Sequence, residues 1–187
     1  IDPSGAASEI RLALGSLGAR CAAILVTHAH FDHVTALADL AEGTGAPVHA
    51  AAAERDVLEH PERYIPAGIV VRPWAPDVLL DGGERLELAG MRFDVLSVPG
   101  HSPGHLAYAT EGNVFSGDVL FAGSVGRTDL PGADWPTLIG SIRVLVAALP
   151  PETAVHPGHG PSTTLATELA TNPFLAELRD ETREVAR

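Results

Sequence analysis

His28-Ala29-His30-Phe31-Asp32-His33 stands directly behind an apolar run, Cys21-Ala22-Ala23-Ile24-Leu25-Val26-Thr27. The run reads as a buried strand over 22–27, and the hexapeptide as the polar loop that leaves it. In an extended segment residues i and i+2 point to the same side, so His28 and His30 can face one metal ion. Asp32 and His33 fall where the loop turns into a helix expected over 35–41, and they can face a second point nearby. Three imidazoles and a carboxylate without a thiol suit zinc or iron. The lack of cysteine here speaks against a closed structural zinc site.

Three further stations fit the same site, each behind a strand-like run, where α/β loops carry function. They are Pro99-Gly100-His101-Ser102-Pro103-Gly104-His105, Phe115-Ser116-Gly117-Asp118 and Pro157-Gly158-His159-Gly160. Glycine beside a ligand lets the backbone turn tightly and approach closely. With the first motif they supply seven candidate ligands: His28, His30, Asp32, His33, His101, Asp118 and His159. Seven ligands suit two metals that share one carboxylate, typically about 3.5–4 Å apart. His28, His30 and His101 are assigned to one ion, Asp32, His33 and His159 to the other, and Asp118 bridges.

These motifs match, in order, the metal motifs of the metallo-β-lactamase superfamily, and the resemblance covers nearly the whole chain. Two further stretches, Gly123-Ser124-Val125-Gly126-Arg127-Thr128-Asp129-Leu130-Pro131-Gly132 and Asn172-Pro173-Phe174, resemble its type II glyoxalase-like branch, the bacterial hydroxyacylglutathione hydrolases. The resemblance implies an α/β fold, a four-layered αβ/βα sandwich with a dinuclear zinc site at one edge. It also implies hydrolysis of S-lactoylglutathione or a similar thioester by a metal-activated water, with Asp32 and Asp118 as catalytic carboxylates. Iron or a mixed iron–zinc pair is the alternative loading. Members of the family usually begin with a strand hairpin before the Asp-Pro found here at Asp2-Pro3, so the first strands are expected to be missing. An exposed sheet edge there is prone to pairing with another chain.

Other residues are weighed against the same site. Arg127 is a candidate for gripping a substrate carboxylate bidentately, against a plain surface ion pair. His105 is a candidate for orienting a ligand from behind. His49, His60 and His156 are expected in packing or surface roles. The rival functions are a mononuclear iron persulfide dioxygenase with ligands at His28, His101 and Asp118, a lactonase, and a non-catalytic binding module of the same fold. Many zinc β-lactamases carry a cysteine ligand that this chain lacks, which ranks antibiotic hydrolysis low.

Composition sets the outer limits. The 187 residues, 45% of them apolar, suffice for a single domain over 1–187 with its own core. A net charge of -12 repels nucleic acid phosphates. No apolar stretch is long enough to span a bilayer, and no signal peptide is expected within the sequence. One cysteine, Cys21, excludes an intrachain disulfide and makes a cytoplasmic location the default expectation. The expected partner is a small-molecule thioester, with no nucleic acid and no membrane. Helices are expected over 4–17, near 52–58 and over 135–149, with two more closing the chain. Strands are expected over 47–50, 77–80, 85–88, 92–98, 105–110, 113–116 and 153–156, and an irregular proline-rich crossing over 60–76.

Overall fold

A computed structural model describes residues 1–179. The chain runs α1 (Ala7–Ser16), β1 (Ile24–Leu25), α2 (Phe31–Val34), α3 (Leu37–Thr44), β2 (Val48–Ala51), α4 (Arg55–Glu59), β3 (Val78–Leu80), β4 (Arg85–Leu88), β5 (Met91–Ser97) and β6 (Leu106–Thr110). It continues with β7 (Asn113–Gly117), β8 (Leu120–Phe121), β9 (Ser124–Val125), α5 (Trp135–Ala148), β10 (Ala154–Pro157), β11 (Thr163–Thr164) and α6 (Leu165–Thr171). Short 3₁₀ turns at Ala52–Glu54, Pro61–Arg63 and Pro173–Leu175 fill connections. The second of the two helices expected to close the chain falls partly outside the described residues.

Two sheets face each other. The first is parallel, in the order β1-β2-β3, and the second has the order β11-β10-β7-β6-β5-β4. In the second sheet only β10 and β7 run parallel; the other neighbours are antiparallel. Three apolar clusters show the layering. Ile24, Val26, Val34, Leu37, Leu40, Val48 and Leu58 join the first sheet to α2, α3 and α4. Leu25, Ala51, Leu80, Phe93, Val95, Leu106 and Tyr108 lie between the sheets. Val98, Ala107, Ala109, Val114, Leu138, Ile142, Leu145, Val155 and Leu165 join the second sheet to α5 and α6. Helix, sheet, sheet, helix is the αβ/βα sandwich, and it explains why β2 is buried at every position.

The sheets are also joined by polar bonds at one edge. The Tyr108 hydroxyl donates to the Val26 carbonyl (2.8 Å), and Leu106 N–H donates to the Thr27 carbonyl (2.8 Å). These bonds lock the end of β1 against the start of β6, next to His28 and His105. On the free side of β1 the Asp2 N–H donates to the Leu25 carbonyl (2.9 Å).

The structure changes some expected elements. The helix expected over 35–41 is α3, which begins at Leu37, and a separate short helix α2 precedes it from Phe31, so Asp32 and His33 sit on a helical turn and not in a loop. The two-residue hairpin of β8 and β9 and the short β11 carry too few residues for any periodicity. The first helix is shorter than the expected 4–17, and Leu17 just beyond its end is 78% exposed; the helix packs through Ala7 and Ile10. Among the described residues no helix is long and apolar enough to cross a membrane.

Candidate metal centre

Thr27 and His28 continue from β1 in a fixed posture. The Asp2 carboxylate accepts from Thr27 N–H (2.7 Å) and from the Thr27 hydroxyl (2.7 Å), and that hydroxyl lies 3.0 Å from His28 Nδ1. His28 is fully buried, and its Nε2 has no hydrogen-bond partner. His30, extended at φ -64 and ψ 144, caps the start of α2 and turns to the same side. From the opposite sheet comes His101, whose Nε2 lies 2.9 Å from His30 Nδ1. His101 Nδ1 donates to the Arg127 carbonyl (2.9 Å), which leaves Nε2 as a lone pair aimed at the site. The donor atoms of His28, His30 and His101 lie within 4.8 Å of one another.

Asp32, His33 and His159 form a second group within the same limit. His33 Nδ1 lies 3.1 Å from Asp2, so its Nε2 faces the site, and His159 Nε2 stands 3.0 Å from Asp32 Oδ2. Asp118 sits between the groups. Its Oδ1 is 3.4 Å from His33 Nε2, and its Oδ2 is 3.6 Å from His101 Nε2 and 3.5 Å from His159 Nε2. A Cβ at Gly158 would collide with the Asp118 carboxylate and the His33 ring, so the third station needs glycine there. All seven expected donors therefore converge, in the two groups of three expected from the sequence.

His105 stands behind this set. It is fully buried, stacks on His28 (ring centroids 4.5 Å apart) and accepts the Asp118 N–H at Nε2 (3.0 Å). Arg127 forms the surface ion pair that is the other role weighed for it. Its guanidinium is held bidentately by Asp129 (2.6 and 2.7 Å) on the exposed surface, and only its backbone carbonyl serves the site, through His101. His156 also turns away, bonded to Ser162 and Asn113 (both 2.9 Å). Asp2 is the contact that sequence reasoning missed. Its one signal was the Asp-Pro pair at the chain's first residues, which reads only as a strand end. A cavity of about 710 Å³ reaches Asp32, His33 and His159 past Asp2 and is walled by Met91, Phe93 and Phe115.

The residues fit metal ions. Imidazole nitrogens and carboxylate oxygens are the donors, and three of them, His28 Nε2, His33 Nε2 and Asp118 Oδ1, are buried without hydrogen bonds. Electrostatics separates the two groups. Burial, then neighbouring His105, holds His28 well below the ordinary histidine pKa, and burial with His101 pulls His30 down to about 4. Burial, then His101, takes His105 down to about 3. For His33 burial acts downward, but Asp118 and Asp2 win and raise it to about 10. Asp118 is likewise pushed up by burial, yet His33 and the other histidines hold it below the usual carboxylate range.

This asymmetry predicts pH behaviour. His33 has a folded pKa above its unfolded value, so its stabilising contribution to the metal-free protein is complete below about 6.5 and fades as pH rises toward about 10. His30 and His105 have lowered values, so their contribution is complete above about 6.5 and is lost on acidification toward about 4 and about 3. The metal-free protein is expected to melt highest near neutral pH. Zinc loading at pH 8 is expected to release a proton from His33 in addition to any released by coordinated water. Calorimetry in buffers of different ionisation enthalpy measures it; equal release from the His33→Ala variant would refute the assignment.

Comparison with known proteins follows the geometry. The family model described as the metallo-beta-lactamase superfamily matches residues 1–159. The hydroxyacylglutathione hydrolase GloC of Haemophilus influenzae is 36% identical over 94% of this chain and 85% of its own length. Among solved structures, the B3 metallo-beta-lactamase BLEG-1 is 39% identical, with a TM-score of 0.88 over 94% of this chain and 87% of that one. TTHA1623 in a di-iron-bound form is 46% identical, with a TM-score of 0.85 over 93% of this chain and 87% of that one.

Proposed function

The chain belongs to the metallo-β-lactamase superfamily as a metallo-hydrolase, and on that footing we propose that it is a thioester hydrolase working with two bound metal ions. The observation that carries the reading is the convergence of seven donors in two groups around one shared carboxylate. His28, His30 and His101 would hold one ion, Asp32, His33 and His159 the other, and Asp118 would serve both. Zinc suits the donor set, and the di-iron form of TTHA1623 supports iron as the alternative. Bound there, the ions supply Lewis acidity and draw the pKa of a coordinated water from about 15.7 toward about 7.

The chain's own groups do the rest. Asp118 is almost buried, whereas the Asp32 side chain is 39% exposed and opens the site to solvent. Asp32 is thus placed to orient water and to hold a proton at its carboxylate. The Arg127 carbonyl and the Asp118 N–H fix the tautomers of His101 and His105. A thiolate, with a pKa near 8.5, leaves without a dedicated general acid, whereas an amine needs one. The likeness to GloC supports S-lactoylglutathione or a related thioester as substrate.

The test is hydrolysis of S-lactoylglutathione by protein loaded with zinc and, in parallel, with iron, with metal content measured in the same samples. Turnover with about two ions per chain is the expected result. No turnover with both ions in place would discard this substrate. A β-lactam in the same panel tests the route raised by the likeness to BLEG-1. Oxygen consumption with a persulfide tests the iron dioxygenase reading.

A further inference from the structure

Glu54 is a carboxylate buried where nothing in the sequence called for one. It ends the 3₁₀ turn Ala52–Glu54 and is 4% exposed. Its Oε2 accepts the Ala29 N–H (3.2 Å), and its Oε1 accepts the Gly104 N–H (2.9 Å). Ala29 is the residue between His28 and His30, and Gly104 lies three residues after His101 and directly before His105. One carboxylate therefore ties together the two loops, from opposite sheets, that carry the whole first donor group.

The surroundings are built around this contact. A Cβ on Gly104 would stand 2.7 Å from Glu54 Cγ and 3.0 Å from Ala53 Cβ, so the loop reaches the carboxylate only because residue 104 is glycine. A buried carboxylate is costly unless its oxygens are satisfied, and two backbone N–H donors satisfy one oxygen each. Hydrogen bonds to an ionised acceptor are about twice as strong as neutral ones. Among the described residues the Glu54 carboxylate has no ion-pair partner and is held by these two backbone donors. No buried carboxylate among the described residues joins the α2 turn of Asp32 and His33 to the loop of His159 through their backbone N–H groups.

We infer that Glu54 is a positioning residue that holds the His28–His30 loop against the His101–His105 loop and thereby sets the metal affinity of the first donor group selectively. The inference rests on the two-ion reading of the centre and not on the substrate. It predicts that loss of the carboxylate opens the distance between His30 and His101 while leaving Asp32, His33 and His159 in place. Replacing groups that orient metal ligands typically costs about 10–100-fold in affinity, and that range is expected here for the first group alone.

The experiment uses the full metal-free chain, zinc as the probe and a chromophoric chelator as competitor. His159→Ala leaves the first group intact, and His101→Ala leaves the second; Glu54→Gln and Glu54→Ala are placed on each background. Glutamine keeps the shape and one acceptor but turns an amide N–H₂ toward one of the backbone donors, so its effect is the smaller. On the His159→Ala background zinc affinity is expected to fall at least about tenfold; on the His101→Ala background it is expected to change less than about threefold. Gly104→Ala, which pushes Glu54 aside without altering it, is expected to show the same selectivity. Equal losses on both backgrounds would mean a merely structural role and overturn the inference, as would no loss on either. Native-state hydrogen exchange of the Ala29 and Gly104 amides stands beside these variants: protection is expected, and loop-like exchange of either amide overturns the clamp. Absence of zinc binding by the His159→Ala parent would instead bring down the two-ion reading itself. Failure of thioester hydrolysis alone leaves the clamp untouched.

Discussion

Asp118→Asn is expected to lower hydrolysis by about three orders of magnitude and to leave the protein folded. Asp118 lies within 3.6 Å of donors in both groups, through His33 and His159 on one side and His101 on the other. Asparagine preserves the volume and one acceptor but removes the charge that lets one side chain serve two cations. The deficit should appear in kcat and in the metal count together, with one ion retained in place of two. Steady-state kinetics with metal analysis of the same sample checks this. A variant that keeps two ions per chain and full activity would refute the shared role of Asp118.

The second large effect is expected at Asp2. Its carboxylate accepts from Thr27 N–H and the Thr27 hydroxyl and pairs with His33 Nδ1, so three partners depend on it. Asp2→Ala strands a buried imidazole and a buried N–H, a loss of about 3 kcal/mol by comparison with other broken buried pairs. For a chain of this size that is a fall of roughly 6–12 °C in melting temperature. Zinc affinity of the second group should drop as well, because His33 loses the contact that aims its ring. Asp2→Asn keeps the backbone conformation, since asparagine tolerates the positive φ of 48° found there, but it removes the charge and turns an amide N–H₂ toward one of the Thr27 donors, so a smaller loss than in Asp2→Ala is expected. An unchanged melting temperature in Asp2→Ala would show that the contacts of Asp2 are not structural. Normal zinc affinity in both variants would show that His33 needs no help.

The site was more legible in the sequence than its supports. Metal-type residues at i and i+2 behind an apolar strand, followed by Gly-His and Gly-Asp stations after later strands, are local signals, and each names its residue directly. The layered fold followed from the same motifs through the family resemblance. What the sequence hid were partners acting through backbone groups. Glu54 looks like any glutamate in an alanine-rich helical stretch, because its role is defined by two amides 25 and 50 residues away. Asp2 is hidden for the same reason, since Thr27 and His33 are remote in sequence. For Arg127 the sequence left a substrate contact and a surface ion pair both open, and the structure shows the ion pair, with Asp129 two residues on holding the fork. The tail motif Asn172-Pro173-Phe174 turned out to be architectural. Asn172 is fully buried and, together with Glu168, hydrogen-bonds the β8–β9 hairpin behind Asp118.

The seven donors are drawn from residues 28 to 159, and they meet only where the two sheets are already docked. Such a centre belongs to the late part of folding. Closing loops of this length has an entropic cost that must be met before the ligands can reward it. Ions joining His28 to His101 and His33 to His159 would then act as cross-links between distant parts of one chain. Their kinetic signature is a slower unfolding rate with little change in the folding rate, as for any contact absent from the transition state. A chelator would shorten the lifetime of the native state long before it altered the shape of the protein.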